Sequence, residues 1–188
     1  MPHFIVIGHD APTDADFSLD DLPGVGRLDL LARCVNAGLL LSHGLRADTM
    51  VSLVMQDTAT VRFHGGEIGG LNPDERSIAG VIRTALQRLD GRGSLPTGVS
   101  TKTDGLEPLL QAVDGHLFML DEDGDPFDGA RVDGDATFVL SDHREFTARE
   151  TSLLEEYGAE SVSLGPEPLH ADHAITVAHN RLDTAGAT

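Results

Sequence analysis

A chain of 188 residues, 40% of them apolar, can bury one ordinary core and is too short for two comfortable domains. No apolar run approaches the roughly eighteen residues that cross a bilayer, so no membrane role is expected, and the single cysteine, Cys34, excludes an internal disulfide and fits a reducing cytoplasm. The acid load of 21 Asp and 10 Glu against 12 Arg and one Lys is spread among apolar, periodic segments rather than gathered in a tail, and its net charge of -18 predicts a fold suited to high salt, where self-repulsion is screened.

The start, MPHFIVIGHD, lacks a basic n-region and a small-residue cleavage site, and reads as a buried first strand over 3–8 rather than a signal peptide. Residues 9–26, rich in Asp, Pro and Gly, predict a solvated loop. Leu28, Leu31, Cys34, Val35 and Leu39 fall at helical spacing within 27–42, with Gly44 as the stop, and Cys34 reads as a small buried hydrophobe. TMVSLVMQ (49–56) and ATVRFHG (59–65) alternate and are rich in β-branched residues, which predicts a hairpin turning at 56–58. Asn72, Pro73 and Glu75 supply a cap, a first-turn proline and a capping-box partner for a helix over 73–90. GVSTKT (98–103) reads as extended and 106–113 as a short helix.

HLFMLD (116–121) reads as a strand, 121–135 as a polar excursion and TFVLSD (137–142) as another strand. Thr147 with Glu150 forms a second capping box, opening a helix that Gly158 ends. ESVSLG (160–165) is the last strand, and DHAITVAHNRLD closes the chain as a helix before a fraying TAGAT. Strands alternating with helices predict a single α/β domain, residues 1–188, with a largely parallel sheet.

Several motifs are weighed and set aside. DEDGDPFDG (121–129) begins with EF-hand spacing, but Pro126 stands where the turn needs glycine and Val132 where a bidentate glutamate belongs. His170, His173 and His179, with Asp172, suggest zinc and a metal-dependent hydrolase, yet no cysteine lies nearby and HExxH is absent. No dinucleotide, P-loop or GxSxG fingerprint occurs. The basic residues concentrate centrally: residues 27–92 hold eight Arg against seven acids, whereas 93–188 hold five basic and nineteen acidic groups. Arg62 precedes the glycine-rich HGGEIGG, where backbone can approach a ligand, and that turn leads into the helix start NPDER. Arg62, Arg76 and Arg83 there suit RNA phosphates; they read equally as helix-surface charges, with Asp74 and Glu75 answering the helix dipole.

VLSDHREFTARE (139–150) and SVSLGPEPLHADHAITVAHNRLD (161–183) resemble the cofactor-binding end of the SPOUT methyltransferases, more narrowly the archaeal tRNA pseudouridine N1-methyltransferases acting on position 54 of the T-loop. RFHGGEIGGLNPDERSIAG (62–80) and STKTDGL (100–106) are similar to the same family. The resemblance implies an α/β knot: an N-terminal half, 1–136, with an RNA-facing segment at 56–92, and a C-terminal trefoil knot over 137–183. It implies an S-adenosyl-L-methionine site at Leu140, Ser141, Leu164, Gly165, Pro166, Leu169, His173, Ala174 and Ile175, with Asp142 and His170 in the same loops and no metal. It further implies a homodimer and a tRNA T-arm as substrate.

The acceptor N1–H must lose a proton as the methyl arrives. Asp74, Glu75 and Asp57 are the candidate acceptors, with Arg62 or Arg76 holding phosphate or a base carbonyl; the catalytic set is taken as Asp74, Arg62 and Arg76. A sister enzyme acting on ribosomal RNA and a non-catalytic knotted RNA- or nucleotide-binding domain are the alternatives.

Overall fold

The computed structural model describes residues 1–132 and 134–185. In chain order the elements are β1 (Pro2–Gly8), α1 (Leu28–Leu39), β2 (Leu40–Leu41), β3 (Gly44–Leu45), β4 (Met50–Met55), β5 (Ala59–His64) and α2 (Glu75–Leu89). There follow β6 (Val99–Lys102), α3 (Leu106–Gln111), β7 (His116–Pro126), a 3-10 turn (Gly129–Arg131), β8 (Ala136–Ser141), α4 (Ala148–Glu156), β9 (Glu160–Ser163) and α5 (Ala171–Asp183). Seven strands form one sheet in the order β6-β5-β4-β1-β8-β7-β9. Every pairing from β4 through β1, β8 and β7 to β9 is parallel, and β5 and β6 extend the sheet antiparallel. The α/β class with a largely parallel sheet, expected from the strand–helix alternation, is what the chain adopts.

Alternation along each strand decides which layer forms on which face. Phe4, Val6, Leu53, Phe63, Phe138 and Leu140 point one way and pack beneath α1, α2 and α5. Ile5, Ile7, Val54, Leu117, Met119 and Val139 point the other way and meet α3 and α4. β1 is therefore buried on both faces, which is why HFIVIG reads as a continuous apolar run rather than an alternating one. Cys34 is fully buried in the first layer, and that burial pushes its thiol up.

Four local expectations are corrected. The first helix stops at Leu39, not near residue 42. Leu40 is extended, and the chain turns through the two-residue pair β2 and β3, with Arg46 N donating to the Leu39 carbonyl at 2.8 Å. The second helix is capped by Asp74 instead of Asn72. Asn36 Nδ2 engages the Pro73 carbonyl, which keeps 72–73 outside the helix, and Asp74 Oδ1 then accepts from Ser77 N. β7 runs on to Pro126 because, past an irregularity between Leu120 and Asp125, the acidic stretch pairs again with β9. In the first half of HGGEIGG the close approach is to the chain itself: a Cβ on Gly65 would come within 2.0 Å of the Arg46 carbonyl oxygen, whereas Gly69 and Gly70 stand in open space. Of the TAGAT tail, Thr184 and Ala185 still bond back to α5, and residues 186–188 lie outside the described residues.

After β9 the chain returns to the face that carries α1, and α5 lies against that helix. The 121–132 segment touches the chain on both sides of this return. Phe127 N donates to the Ser163 carbonyl at 2.9 Å, and Gly129 sits so close to the Arg181 carbonyl that a Cβ would stand 2.4 Å from its oxygen. None of the helices formed by the described residues is long and apolar enough to cross a membrane.

Candidate functional site

Parallel strands bring the loops at their C-terminal ends together. Here the middle of β7, at its irregularity, the ends of β8 and β9 and the start of α5 enclose a cleft of about 500 Å³. Leu120, Leu140, Val162, Leu164, Ala171 and Ala174 form its apolar lining. One rim is Asp121, Glu122 and Asp123; another is the loop from Ser141 to Phe146; the third is the segment from Gly165 to His170. No side chain caps the N-terminus of α5, so its first-turn amides take no side-chain acceptor. The built-in Cβ position of Gly165 meets nothing within 4 Å, so this residue leaves space in the cleft that a large side chain would fill.

Of the nine residues expected around the cofactor, Leu140, Ser141, Leu164, Gly165, Leu169 and Ala174 line this cleft. Pro166 is exposed in the same segment, His173 is exposed on the first turn of α5, and Ile175 is fully buried in the core. The histidines set aside as zinc ligands diverge. His170 and His173 are edge to face at 6.0 Å, whereas His179 is buried against Phe4 and bonds through Nε2 to the Gly38 carbonyl at 2.9 Å. Among the described residues no three His, Cys, Asp or Glu side chains are grouped to hold a metal ion. Asp172 instead meets Arg33 Nε at 3.1 Å, and Arg33 also reaches Asp29 at 2.8 Å and Glu75 at 3.4 Å, tying together the starts of α1, α2 and α5.

The three residues taken as catalytic stand outside the cleft wall. Asp74 is exposed at the head of α2, where the hydrogen bond from Ser77 holds its carboxyl below the usual range and makes it a weaker base. Arg76 donates to the Leu19 carbonyl at 3.0 Å and pairs with Asp20, fastening the 9–26 loop to α2. Arg62 is half-buried on the sheet face that carries α3, its Nε donating to Ser52 Oγ at 3.2 Å. It borders a small crevice with Thr60, Ser100, Thr101, Lys102, Asp104 and Leu109. Burial lowers its pKa, against the opposing charge of Asp104. Of the other candidate acceptors, Asp57 accepts the Leu106 amide at 2.8 Å and pairs with Arg149, and Glu75 belongs to the Arg33 cluster.

The sequence reading did not single out His9, which follows β1 and braces the cleft loop. Its Nδ1 stands 2.9 Å from Asp142 Oδ1, its Nε2 3.0 Å from Glu150 Oε2, and its amide donates to Asp142 Oδ2 at 2.8 Å. A His-Asp pair at the C-terminal end of a central parallel strand was the available signal, since that is where such sheets place their ligands.

A family model for SAM-dependent RNA methyltransferases matches residues 1–187. The chain is 53% identical to a protein of Haloferax volcanii and 50% identical to one of Halobacterium salinarum, each covering 99% of this chain and 98% of the relative. Both relatives are named tRNA (pseudouridine(54)-N(1))-methyltransferase. Among solved structures, Archaeoglobus fulgidus Nep1 bound to S-adenosylhomocysteine shares the fold with a TM-score of 0.72 at 15% identity, over 99% of both chains.

Proposed function

The chain belongs to the SAM-dependent RNA methyltransferases and, within them, to the tRNA (pseudouridine(54)-N(1))-methyltransferases, and from that premise we propose how its cleft methylates N1 of pseudouridine 54 in tRNA. S-adenosyl-L-methionine supplies an electrophilic methyl on a sulfonium, so the carbon–sulfur bond breaks as the carbon–N1 bond forms and the N1 proton leaves to a base. The observation that carries the reading is the cleft itself. Leu140 and Leu164, with Leu169 exposed at the rim, offer an apolar slot for a flat purine. The open space at Gly165 lets backbone approach a ribose, and the uncapped start of α5 faces amides toward a carboxylate. In the same reading the 163–171 segment is threaded beneath residues 121–132, which would make the C-terminal third a knot.

The residues of this chain position more than they react. Bringing methyl and N1 into line in a water-poor cleft removes much of the entropic barrier. The base must leave its folded loop, at a cost of a few kcal/mol. Arg62 and Lys102 present cations toward RNA phosphates. Asp74, with Arg76 beside it, is the proposed proton acceptor, which requires that the T-loop reach the head of α2. A second copy of the chain is the proposed partner in holding the RNA.

The test is methyl transfer to a synthetic T-arm hairpin carrying pseudouridine or uridine at the target. Transfer to the pseudouridine hairpin alone, blocked by a methyl already on N1, is expected. Donor binding without transfer to any RNA would reduce the protein to a binding domain. In the same assay Asp74→Asn should lower turnover with donor affinity unchanged, and undiminished turnover removes Asp74 from the chemistry.

A further inference from the structure

The cleft wall from Asp142 to Phe146 is a loop with no regular structure of its own, yet its geometry is closely held. Its first anchor is Asp142, which accepts the His9 amide, faces His9 Nδ1, and accepts the Arg144 amide at 3.0 Å. Its second anchor is the capping box of α4, where Glu150 Oε2 accepts the Thr147 amide at 2.8 Å and also faces His9 Nε2. One imidazole thus spans both ends of the loop. A neutral ring has one N–H and one lone pair, so it can satisfy only one of two carboxylates. Glu150 Oε2 already acts as an acceptor toward Thr147, so the arrangement calls for an N–H on each ring nitrogen.

We propose that His9 is a positioning residue for the methyl-donor cleft: bridging Asp142 and Glu150 through both ring nitrogens, it holds the 142–150 segment in the shape that binds the donor. This rests on the reading of the cleft as the donor site.

The surrounding charges are arranged to leave His9 with its two carboxylates. Asp10, next along the chain, takes Arg144 Nε at 2.9 Å and His143 Nε2 at 3.5 Å. His143 Nδ1 lies 3.4 Å from Asp142 Oδ2, and Arg27 at the start of α1 acts on Asp142 only through space. Burial opposes charge on the His9 ring, but the hydrogen bonds and charges of Asp142 and Glu150 outweigh it and raise its pKa above 6.5. The sign of the pH dependence follows. The bridge is complete below the ordinary histidine value and is lost as pH rises through the raised one, so donor affinity falls on the alkaline side. Glu150→Gln separates charge from shape, because glutamine also closes a capping box.

The experiment is calorimetric titration with S-adenosylhomocysteine in molar salt from about pH 5 to about pH 9, with the His9 ring followed by NMR. The parent chain, His9→Gln and Glu150→Gln are compared as ratios of affinity, so that titration of the ligand's own groups cancels. His9→Gln should bind about tenfold more weakly at the acid end, the size typical of an outer support, and converge on the parent at the alkaline end. Glu150→Gln should lower the pH at which the ring titrates and move the fall in affinity with it. Should His9→Gln fail to fold, Glu150→Gln carries the test alone. A ratio flat in pH, or a ring titrating below 6.5, overturns the proposal. Gly165→Phe in the same buffers separates the two readings. If it still binds, the cleft is misplaced; if it does not bind while His9→Gln matches the parent throughout, only the bridge is wrong.

Discussion

Arg62, Ser52 and His3, on β5, β4 and β1, form a hydrogen-bonded row. Arg62 Nε donates to Ser52 Oγ, and Ser52 Oγ hydrogen-bonds with His3 Nε2 at 2.8 Å. Burial, together with the nearby charges of Arg62 and His64, lowers the His3 pKa to about 3, so the ring stays neutral. The row holds the guanidinium by one nitrogen at the crevice that it lines with Lys102 and Asp104, and the two cations together suit a phosphate. Arg62→Ala should therefore weaken tRNA binding and lower the slope of log affinity against log salt by about one, with donor affinity intact. Losing the bond to Ser52 should cost about 1 kcal/mol of stability as well. A variant that loses that stability while keeping the parent's RNA affinity and salt slope would make Arg62 a support of the sheet and nothing more.

Among the elements, α4 shows what local chemistry can specify. Thr147 Oγ1 accepts the Glu150 amide, the Glu150 side chain accepts the Thr147 amide, and Gly158, at φ 77, closes the far end, as the sequence alone predicts. Thr147→Ala should destabilise the protein by about 1 kcal/mol in urea unfolding, with Thr147→Ser close to neutral. Equal losses from both would show that the hydroxyl does not carry the cap. The β4–β5 hairpin and α1 were legible for the same reason: their signals lie within a few residues of one another. What the sequence hid depends on distant partners. The polar end of β7 is a strand only because β9 offers backbone to pair with. Asn72 yields the cap to Asp74 because Asn36, on another helix, holds Pro73 in place. The cleft draws on residues 120–123, 140–146 and 162–174, which no single window contains, and its candidates came from a resemblance to a family rather than from spacing. The position of His9 at the end of β1 was a signal, but its two partners, more than 130 residues away, were not legible from the sequence.

At the scale of the molecule, a net charge of -18 must coexist with binding to a polyanion. Asp121, Glu122, Asp123, Glu145 and Glu167 stand on the rim of the cleft itself, so the conflict is local and not merely global. Salt acts on the two sides of this balance differently. At about 1 M the Debye length is near 3 Å, which removes repulsion between separated acids but leaves close, partly buried pairs such as Arg33 with Asp29 and Asp172. Counterion release weakens the RNA contacts as salt rises, so a chain with few exposed cations has little long-range attraction to lose. The relatives from Halobacterium salinarum and Haloferax volcanii, about half identical along the whole chain, fit this arrangement. Dialysis from molar potassium chloride to about 0.05 M, where the Debye length exceeds 10 Å, should unfold the protein, followed by loss of far-ultraviolet circular dichroism. Restoring the salt should recover the signal and donor binding together. Glucose or another uncharged osmolyte at matched osmolality should not substitute, because the restoring agent must screen charge. A signal unchanged at low salt would mean that the acidic surface is not what limits stability, and that the tight pairs and the two core layers suffice without screening.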